Sequence, residues 1–337
     1  MLRKYHIGAL LGAAITCGTL FAAESSIGVA GANELRYPVG ARGSALSGSF
    51  IGDASGVDAM FWNPGGIAGT ESNEASFGQY KLWADMTMYQ LALVHNFGNF
   101  GALGIGARIH NAGDLIVTTE EMPAGTGEII EPTNSIITFS WGRAMTDRVS
   151  LGANINLVNE TIKDVTAKGY TLDFGVQVEM PYEGLSFGIT LKNFGPDMKF
   201  EGYGGVENVS YEYDEYGAAS RVTEPQFAAF EVPASFHVGL AYDAIEDPRN
   251  RLTGYAAYQY NNNNTYSEYR FGTEYSFLST FFARAGYVLP LGVPDYADYP
   301  DTWSAGVGFK VDLGSSNMYI DWSYKPQENF DATQWRS

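Results

Sequence analysis

Few side chains in this sequence have the types and spacing that enzyme chemistry needs. His237 lies between Ser235 and Asp243, but strand alternation explains that spacing, and a hydrolase needs a positioned trio. The glycine-rich stretches carry no Lys-Ser or Lys-Thr pair after a strand, so a phosphate-binding loop is unsupported. The four histidines show no metal-ligand spacing: His6, His95, His110 and His237. The sequence therefore predicts no enzyme, no cofactor and no metal site.

Polar and charged side chains instead recur on one face of extended segments. Between residues 170 and 180, Leu172, Phe174 and Val176 alternate with Thr171, Asp173 and Gly175. Strict alternation is typical of a strand whose two faces meet different surroundings. The same pattern predicts that twelve side chains face an enclosed lumen: Asn154, Asn156, Asp173, Gln177, Glu179, Lys192, His237, Arg270, Glu274, Arg284, Lys310 and Asp321. Such charges form either packing networks inside a barrel or a selectivity filter.

The elements that carry these residues resemble transmembrane strands, which are segments of about ten residues with alternating hydrophobicity. Soluble β-sandwiches also alternate, but aromatic residues near the strand ends and the large combined apolar face favour a membrane barrel. Thirteen candidate strands follow residue 72: 75–83, 86–97, 99–110, 134–144, 148–160, 169–180, 184–193, 234–243, 250–260, 265–277, 280–289, 301–312 and 317–325.

Bacterial single-chain barrels have an even number of strands. Residues 332–337 resemble the opening of a further strand that stops halfway. We therefore expect an all-β fold, an antiparallel transmembrane β-barrel of fourteen strands whose last strand is incomplete in this chain. The expected organisation is a signal peptide at 1–25, a hatch or plug segment at 26–72 and a barrel at 73–337.

Composition fits this fold class and limits the partners. The 337 residues include 40 Gly, 22 Tyr and 20 Phe, and the formal net charge is −18. Mean hydropathy is only −0.14, as strands with one polar face require. Nucleic acid is not an expected partner, because phosphate binding needs clustered Lys and Arg. Outer-membrane lipid is an expected partner.

The N-terminus predicts export. Arg3 and Lys4 precede an apolar stretch at 7–21, which is the layout of a secretory signal peptide. Cleavage after Ala23 or after Ser25 is equally compatible with the sequence. The only cysteine, Cys17, lies inside this segment and has a poor lipoprotein context. We expect the mature chain in the outer membrane.

A segment rich in small residues lies between the signal peptide and the first strand, from Val39 to Ala68. It ends in an Asn-Pro-Gly-Gly turn at Asn63, and Trp62 beside that turn can anchor the segment in an enclosed site. It resembles the N-terminal hatch of FadL-like outer-membrane barrels and, within them, the PorV/PorQ family. The matching positions are Gly40-Ala41-Arg42, Ala45-Leu46, Gly48, Phe50, Asp53-Ala54, Trp62-Asn63-Pro64, Gly66 and Ala68. Gly65 and Ile67 replace the usual Ala and Leu.

The resemblance implies a fourteen-stranded barrel with an inward-folded hatch. The hatch and gating candidates are Arg42, Trp62, Asn63, Pro64 and Gly65. The Asn63-Pro64 turn either gates the lumen or only stops the chain before the first strand. Arg42 either pairs with a lumenal carboxylate, such as Asp173 or Glu179, or is solvated.

Three connections exceed ordinary hairpins: 111–133, which we expect to form a protruding hairpin, 194–233 and 290–300. The second is acidic and rich in tyrosine. It contributes the outer-loop contact candidates Tyr211, Tyr213, Asp214, Glu215 and Tyr216. The alternative is a solvated loop without a partner.

Three functions stay open at this point. PorV-like relatives handle cargo in type IX secretion, so the first hypothesis is binding of secreted cargo proteins or secretion components through the outer loops. The second is a FadL-like channel for fatty acids or other hydrophobic small molecules. The third is a structural outer-membrane protein.

Overall fold

The computed structural model describes residues 30–82, 86–202, 207–210, 220–223, 227–262, 266–292, 302–326 and 335–336. The expected signal peptide at 1–25 and the five outer-loop contact candidates (Tyr211, Tyr213, Asp214, Glu215 and Tyr216) lie outside the described residues.

The described chain is almost entirely β-structure. Its strands are β1 (Glu74–Lys81), β2 (Thr87–Asn96), β3 (Ala102–Asn111), β4 (Leu115–Ile116), β5 (Ile129–Ile130), β6 (Thr133–Ala144), β7 (Val149–Ile162), β8 (Val165–Glu179), β9 (Leu185–Phe194), β10 (Met198–Gly202), β11 (Glu207–Ser210), β12 (Ser220–Thr223), β13 (Ala229–Phe230), β14 (Ser235–Glu246), β15 (Asn250–Asn261), β16 (Glu268–Phe277), β17 (Phe281–Pro290), β18 (Trp303–Asp312), β19 (Asn317–Tyr324) and β20 (Trp335–Arg336).

Antiparallel pairing closes fourteen of these strands into a ring, in the order β1, β2, β3, β6, β7, β8, β9, β14, β15, β16, β17, β18, β19 and β20. Strand β9 pairs with both β8 and β14. Strand β20 pairs with β19 through Ser323 and Tyr324, and with β1 through Tyr80. The prediction of an antiparallel transmembrane barrel with fourteen strands is confirmed. Closure gives a barrel no free sheet edge in lipid.

The two ends of the barrel differ. Six tight turns of three to five residues, at 97–101, 145–148, 180–184, 247–249, 278–280 and 313–316, define the short-turn end. The opposite, long-loop end carries the connections 112–132, 195–234, 262–267 and 291–302. The hairpin expected at 111–133 consists of β4 and β5. It is tied to the β7–β8 turn, where Lys163 pairs with Glu128 at 2.8 Å.

Apolar side chains cover the outside of the ring. Each alternates with an inward neighbour, as the two-residue period of a strand requires. A continuous exposed apolar surface of this kind suits lipid and would be a liability in water. Exposed examples are Phe77, Leu91, Ile105, Phe139, Leu157, Phe174, Phe236, Tyr275, Tyr287, Phe309 and Ile320.

Aromatic residues stand near both ends of this outer surface. At the long-loop end Trp303 packs against Tyr324 with ring centroids 5.6 Å apart, and Tyr287 pairs with Trp303 in register. At the short-turn end the Tyr275 hydroxyl donates a hydrogen bond of 2.7 Å to the side-chain oxygen of Asn250. Rings with one apolar and one polar side suit the two membrane interfaces. Among the described residues, no helix has the length and apolar character of a membrane span.

The segment from 30 to 72, called the hatch below, lies inside the ring. It contains the short helices α1 (Ala41–Ala45) and α2 (Ala59–Trp62), and single 3₁₀ turns at Asn33–Arg36, Ile51–Asp53 and Pro64–Gly69. Different parts of the hatch contact opposite walls. The helix α1 packs on β17–β19, and the turn Pro64–Gly69 packs on β6–β8. Its first described residues reach the long-loop end, where Gly31 N–H donates to the Glu231 carbonyl next to β13.

Candidate functional site

The hatch folds around two buried aromatic rings. Phe50 and Trp62 are 0 % and 5 % exposed, and their ring centroids are 5.5 Å apart. The Trp62 indole N–H donates to the Val39 carbonyl at 2.6 Å. A side chain at Gly43 would overlap the same indole, so the small residues of this segment permit its close packing. Trp62 thus anchors the hatch from within.

Asn63 fastens the hatch to the wall. Its side-chain amide donates to the carbonyls of Ile51 and Val176, both at 3.0 Å, and its oxygen accepts from Gly65 N–H at 3.1 Å. The first bond closes the hatch on itself, the second crosses to β8, and the third caps the turn that Pro64 opens. A Cβ at Gly65 would approach two wall carbonyl oxygens to 3.2 Å, so glycine suits this position. Of the two roles expected for the turn, this geometry shows attachment, and gating stays a prediction.

Wall side chains also bind the carbonyls that end α2. Asn154 donates to the Met60 carbonyl at 2.7 Å, and Lys192 donates to the Phe61 carbonyl at 2.6 Å. A cation at a helix C-terminus is favourable because the last carbonyls have no partner in the helix. Gln177 acts similarly further along, donating to the Ala54 carbonyl at 2.8 Å.

Asp173 organises the donors around α2. Its carboxylate accepts from Asn154 at 2.9 Å, from Asn156 at 3.0 Å and from the backbone N–H of Asn193 at 2.7 Å. Asn193 has a left-handed backbone with φ of 57°. The buried carboxylate therefore holds both asparagines in place and also fixes the bend at the end of β9.

A second network joins the hatch to the opposite wall. Arg42 donates two hydrogen bonds to Glu274, at 3.0 and 3.1 Å. Arg284 donates to Glu274 at 2.6 Å and also pairs with Asp321. The expectation that Arg42 binds a lumenal carboxylate is correct in kind, but the partners suggested from sequence were wrong. Asp173 is occupied by asparagine donors, and Glu179 is exposed at the short-turn rim.

Asp58 of the hatch is an acid that this arrangement perturbs. Burial and the neighbouring carboxylate of Asp321 raise the pKa of Asp58 to about 6. The side chain lies against Gly40, whose φ of 82° keeps the backbone close to it. Hatch docking thus places a carboxyl group where its charged form is disfavoured.

The remaining lumen candidates also occupy inward positions. Arg270 pairs with Glu268 and donates to the Ser47 carbonyl of the hatch at 2.9 Å. His237 hydrogen-bonds Ser235 at 2.9 Å, as alternation on one strand allows, and Lys310 lies over the Tyr319 ring at 5.8 Å. Among the described residues, no three His, Cys, Asp or Glu side chains form a metal-binding group.

Inward-facing glycines allow the wall to touch the hatch backbone. A Cβ at each would meet hatch atoms, for example Pro64 at Gly152, Ile51 at Gly188 and Met60 at Gly104. Sequence reasoning noticed glycine on the polar face but did not connect it to the hatch, although its inward register was readable. We call this set the glycine girdle: Gly104, Gly106, Gly142, Gly152, Gly175, Gly188, Gly239, Gly272, Gly286 and Gly306.

An apolar cluster encloses the lumen at the long-loop end. Leu35 of the hatch packs there with wall residues and with residues of β10 and β13. Sequence reasoning missed it, because its members come from distant segments and none forms a motif. Its buried residues are Ala32, Leu35, Ile136, Val158, Ala167, Met198 and Val232, with Phe200 and Phe230 packed against them.

A cavity of about 460 Å³ opens at the other, short-turn end. It lies between the end of the hatch and the 145–148 turn, and Asp53, Arg148, Gln177 and Glu179 line it. The hatch thus has an apolar enclosure on one side and a polar one on the other.

Comparisons with known proteins agree on the fold. No protein-family model matches the sequence, and no curated protein is significantly similar to it. Among solved structures, the Pseudomonas putida toluene transporter TodX is 13 % identical and covers 93 % of this chain and 97 % of its own, with a TM-score of 0.52. The Ralstonia pickettii toluene transporter TbuX is 13 % identical, with 88 % and 95 % coverage and a TM-score of 0.52. The CymD monoaromatic hydrocarbon channel is 14 % identical, with 88 % and 94 % coverage and a TM-score of 0.50. The chain therefore shares the fold of these barrels over nearly its whole length.

Proposed function

We propose that this protein is an outer-membrane channel that admits hydrophobic small molecules past its hatch. One observation carries the proposal: the ring encloses both a hatch and an apolar cluster at its long-loop end, in a fold shared with three hydrocarbon transporters. An apolar enclosure with few polar groups is the usual site for a hydrophobic ligand, whose apolar surface it removes from water. No catalytic role is proposed.

The hatch contacts support a channel that is closed at rest. Asn63, Lys192 and the Arg42–Glu274 pair fix the hatch to separate walls. Each contact is a hydrogen bond or ion pair that can be exchanged for water, whereas a covalent tie cannot. A ligand entering the apolar cluster meets Leu35, which belongs to the hatch, so binding and hatch movement are coupled.

The test is hydrocarbon uptake by cells whose outer leaflet is lipopolysaccharide, with and without the full chain. We expect faster uptake of radiolabelled toluene with the protein present. Ile136→Asn, inside the apolar cluster, should lower the protein-dependent rate by about fivefold or more, whereas Ile137→Asn, on the outer face of the same strand, should leave it unchanged. Gel mobility of the unheated barrel verifies folding of both variants. Uptake no faster than in cells lacking the protein would contradict the proposal.

A second candidate is the PorV/PorQ-type role in type IX secretion, with cargo bound through the outer loops. The hatch motif favours it, since Gly40-Ala41-Arg42 and Trp62-Asn63-Pro64 match that family. The three solved structures named above are hydrocarbon transporters, which supports the channel instead. Co-purification of an exported protein that is lost when its C-terminal signal is deleted would support the secretion role. Absence of such a partner together with hydrocarbon uptake would exclude it.

A further inference from the structure

Four buried polar side chains at the long-loop end make no hydrogen bond to α1 or α2. Glu34, Arg108 and His110 are each 5 % exposed, and Glu160 is 7 % exposed. Groups of this polarity are rarely so deeply buried without partners, and each such group needs a reason.

Strand register places three of them on one patch of the inner wall. Arg108 of β3 is opposite Ile136 of β6. His110, two residues further on, is opposite Asn134, and Asn134 is opposite Glu160 of β7. The polar patch therefore adjoins the apolar cluster, since Ile136, opposite Arg108, belongs to that cluster.

Glu34 reaches this patch from the hatch and hydrogen-bonds to Glu160, while Oε1 of each carboxyl group is buried without a partner. Two carboxyl groups can hydrogen-bond only if one of them holds a proton, so together they carry one negative charge. Burial raises the pKa of Glu34, in agreement with a shared proton. The backbone N–H of Ala32 donates to Glu160 as well.

Arg108 and His110 lack partners. Within the described part of the chain, Arg108 forms no ion pair or hydrogen bond, and its Nε–H is buried without an acceptor. Its guanidinium lies over the Phe61 ring at 5.5 Å, and the charges of Asp173 and Glu34 act on it without direct contact. Both ring nitrogens of His110 are likewise buried without a partner, although the ring lies 5.2 Å from that of Tyr37. A buried unpaired guanidinium is costly, so this position calls for a ligand or water.

The chemistry of the unused groups selects the ligand. Arg108 offers only donors, a neutral His110 offers one donor and one acceptor, and Oε1 of Glu34 and of Glu160 offers an acceptor, so the complementary group must both accept and donate. The charges are already balanced, since Arg108 and Lys192 offset Asp173 and the singly charged pair Glu34–Glu160. A carboxylate or an ammonium group would add an uncompensated buried charge.

We propose that this patch binds the hydroxyl group of an uncharged hydrophobic molecule, an alcohol or a phenol. The hydroxyl oxygen accepts from Arg108 and the hydroxyl hydrogen is donated to His110, while the apolar body lies against Ile136 and Val158 in the place of Leu35. The inference rests on the proposed channel function and names its substrate class.

The test compares ligands that differ only in the head group. Octane, 1-octanol, octanoate and octylamine are titrated onto the full chain in lipid nanodiscs, and the signal of empty nanodiscs is subtracted. We expect 1-octanol to bind about tenfold more tightly than the other three, because its hydrogen bonds include one to a charged group.

Two variants locate the effect. Arg108→Met should lower the preference for 1-octanol over octane to within about twofold and leave octane binding unchanged. Loss of a merely structural residue would instead weaken the binding of octane and 1-octanol alike. Arg143→Met, exposed at the short-turn end of β6, is the matched control. His110→Leu is the second variant if Arg108→Met does not fold.

Each other outcome is decisive. Tightest binding of octanoate or octylamine overturns the inference. An alcohol preference that neither variant changes also overturns it, since water would then occupy the patch. Equal binding of octane and 1-octanol overturns the inference and leaves the proposed channel intact. If neither octane nor 1-octanol binds, the channel function fails with it.

Discussion

Glu274 joins a charge of the hatch to a charge of the wall. It accepts from Arg42 and from Arg284, and all three side chains are largely shielded from water. Glu274→Gln should lower the free energy of unfolding by about 3–5 kcal/mol, because two buried guanidinium groups lose the carboxylate they share and keep only the more exposed Asp53 and Asp321. Denaturant titration of the barrel in lipid vesicles measures this.

The control for that substitution is an exposed pair of the same type. Glu128→Gln breaks the pair with Lys163, whose side chains are 50 % and 41 % exposed. Its expected cost is about 0–1 kcal/mol, as for other solvated ion pairs. Equal losses in the two variants would show that the Arg42–Glu274–Arg284 network contributes no more than a surface contact.

Asp58 should make stability depend on pH. Its folded-state pKa of about 6 lies above the ordinary value of 3.8, so the folded state favours the protonated acid. Its contribution is fully present below pH 3.8 and is lost as pH rises through about 6. We expect the native protein to lose about 1–2 kcal/mol of stability over this window, because one pKa unit is worth about 1.4 kcal/mol and partial exposure screens the effect. Asp58→Asn should remove this pH-dependent loss. Denaturant titrations of both proteins between pH 4 and 8 measure the difference, and parallel profiles would contradict it.

Sequence reasoning identified residues better than it identified their partners. The inward position of Glu274 and the hatch position of Arg42 followed from alternation and motif. Their pairing did not, because it depends on where the hatch meets a curved wall more than two hundred residues further along the chain. Arg108 and His110 were not selected as site residues for the same reason, since nothing adjacent in the sequence shows that both lack partners.

At the scale of elements, the glycine girdle determines whether the hatch fits. A Cβ at Gly152 would overlap the Pro64 backbone, whereas one at Gly254, on the outer face of β15, would meet nothing within 4 Å. Gly152→Ala should therefore displace the Pro64–Gly69 turn while the ring stays closed. We expect ion conductance of the variant in planar bilayers to rise severalfold, and Gly254→Ala to leave conductance unchanged. A closed Gly152→Ala channel would show that the hatch adjusts without leaving the wall.

Strands were the most predictable elements. Alternation within a segment is local, so thirteen strands and their inward faces were readable before their pairing was known. The pieces between β9 and β14 were not, because β10 is held by β8 and β13 by β10, across gaps in sequence that no period describes. Hatch turns such as Ile51–Asp53 were also hidden, since their length is below any detectable period.

At the scale of the whole molecule, the fold implies that the outer face of the barrel lies in lipid, and one strand can test this. On β6, Phe139 lies on the outer face near the middle, and Ser135 lies on the same face near the long-loop end. Phe139→Arg should lower the free energy of unfolding in vesicles by about 2–4 kcal/mol, and Ser135→Arg by about 0–1 kcal/mol, because the cost of a charge depends on depth in the bilayer. The native Arg143, exposed at the other end of this strand, obeys the same rule. Equal costs at both positions would argue against a spanning barrel.

The backbone bond between Gly31 and Glu231 joins the start of the hatch to a segment at the long-loop end. The hatch and this segment are thus directly connected. A displacement of the residues around β13 should therefore also displace Ala30 and, through Leu35, the apolar cluster. Because this join is made by main-chain atoms, side-chain replacements at other positions leave its donor and acceptor in place. At Gly31 itself proline would remove the donor, and any Cβ would overlap the Phe230 ring. Side chains at the long-loop end can therefore change to suit other ligands while this segment stays connected to the hatch.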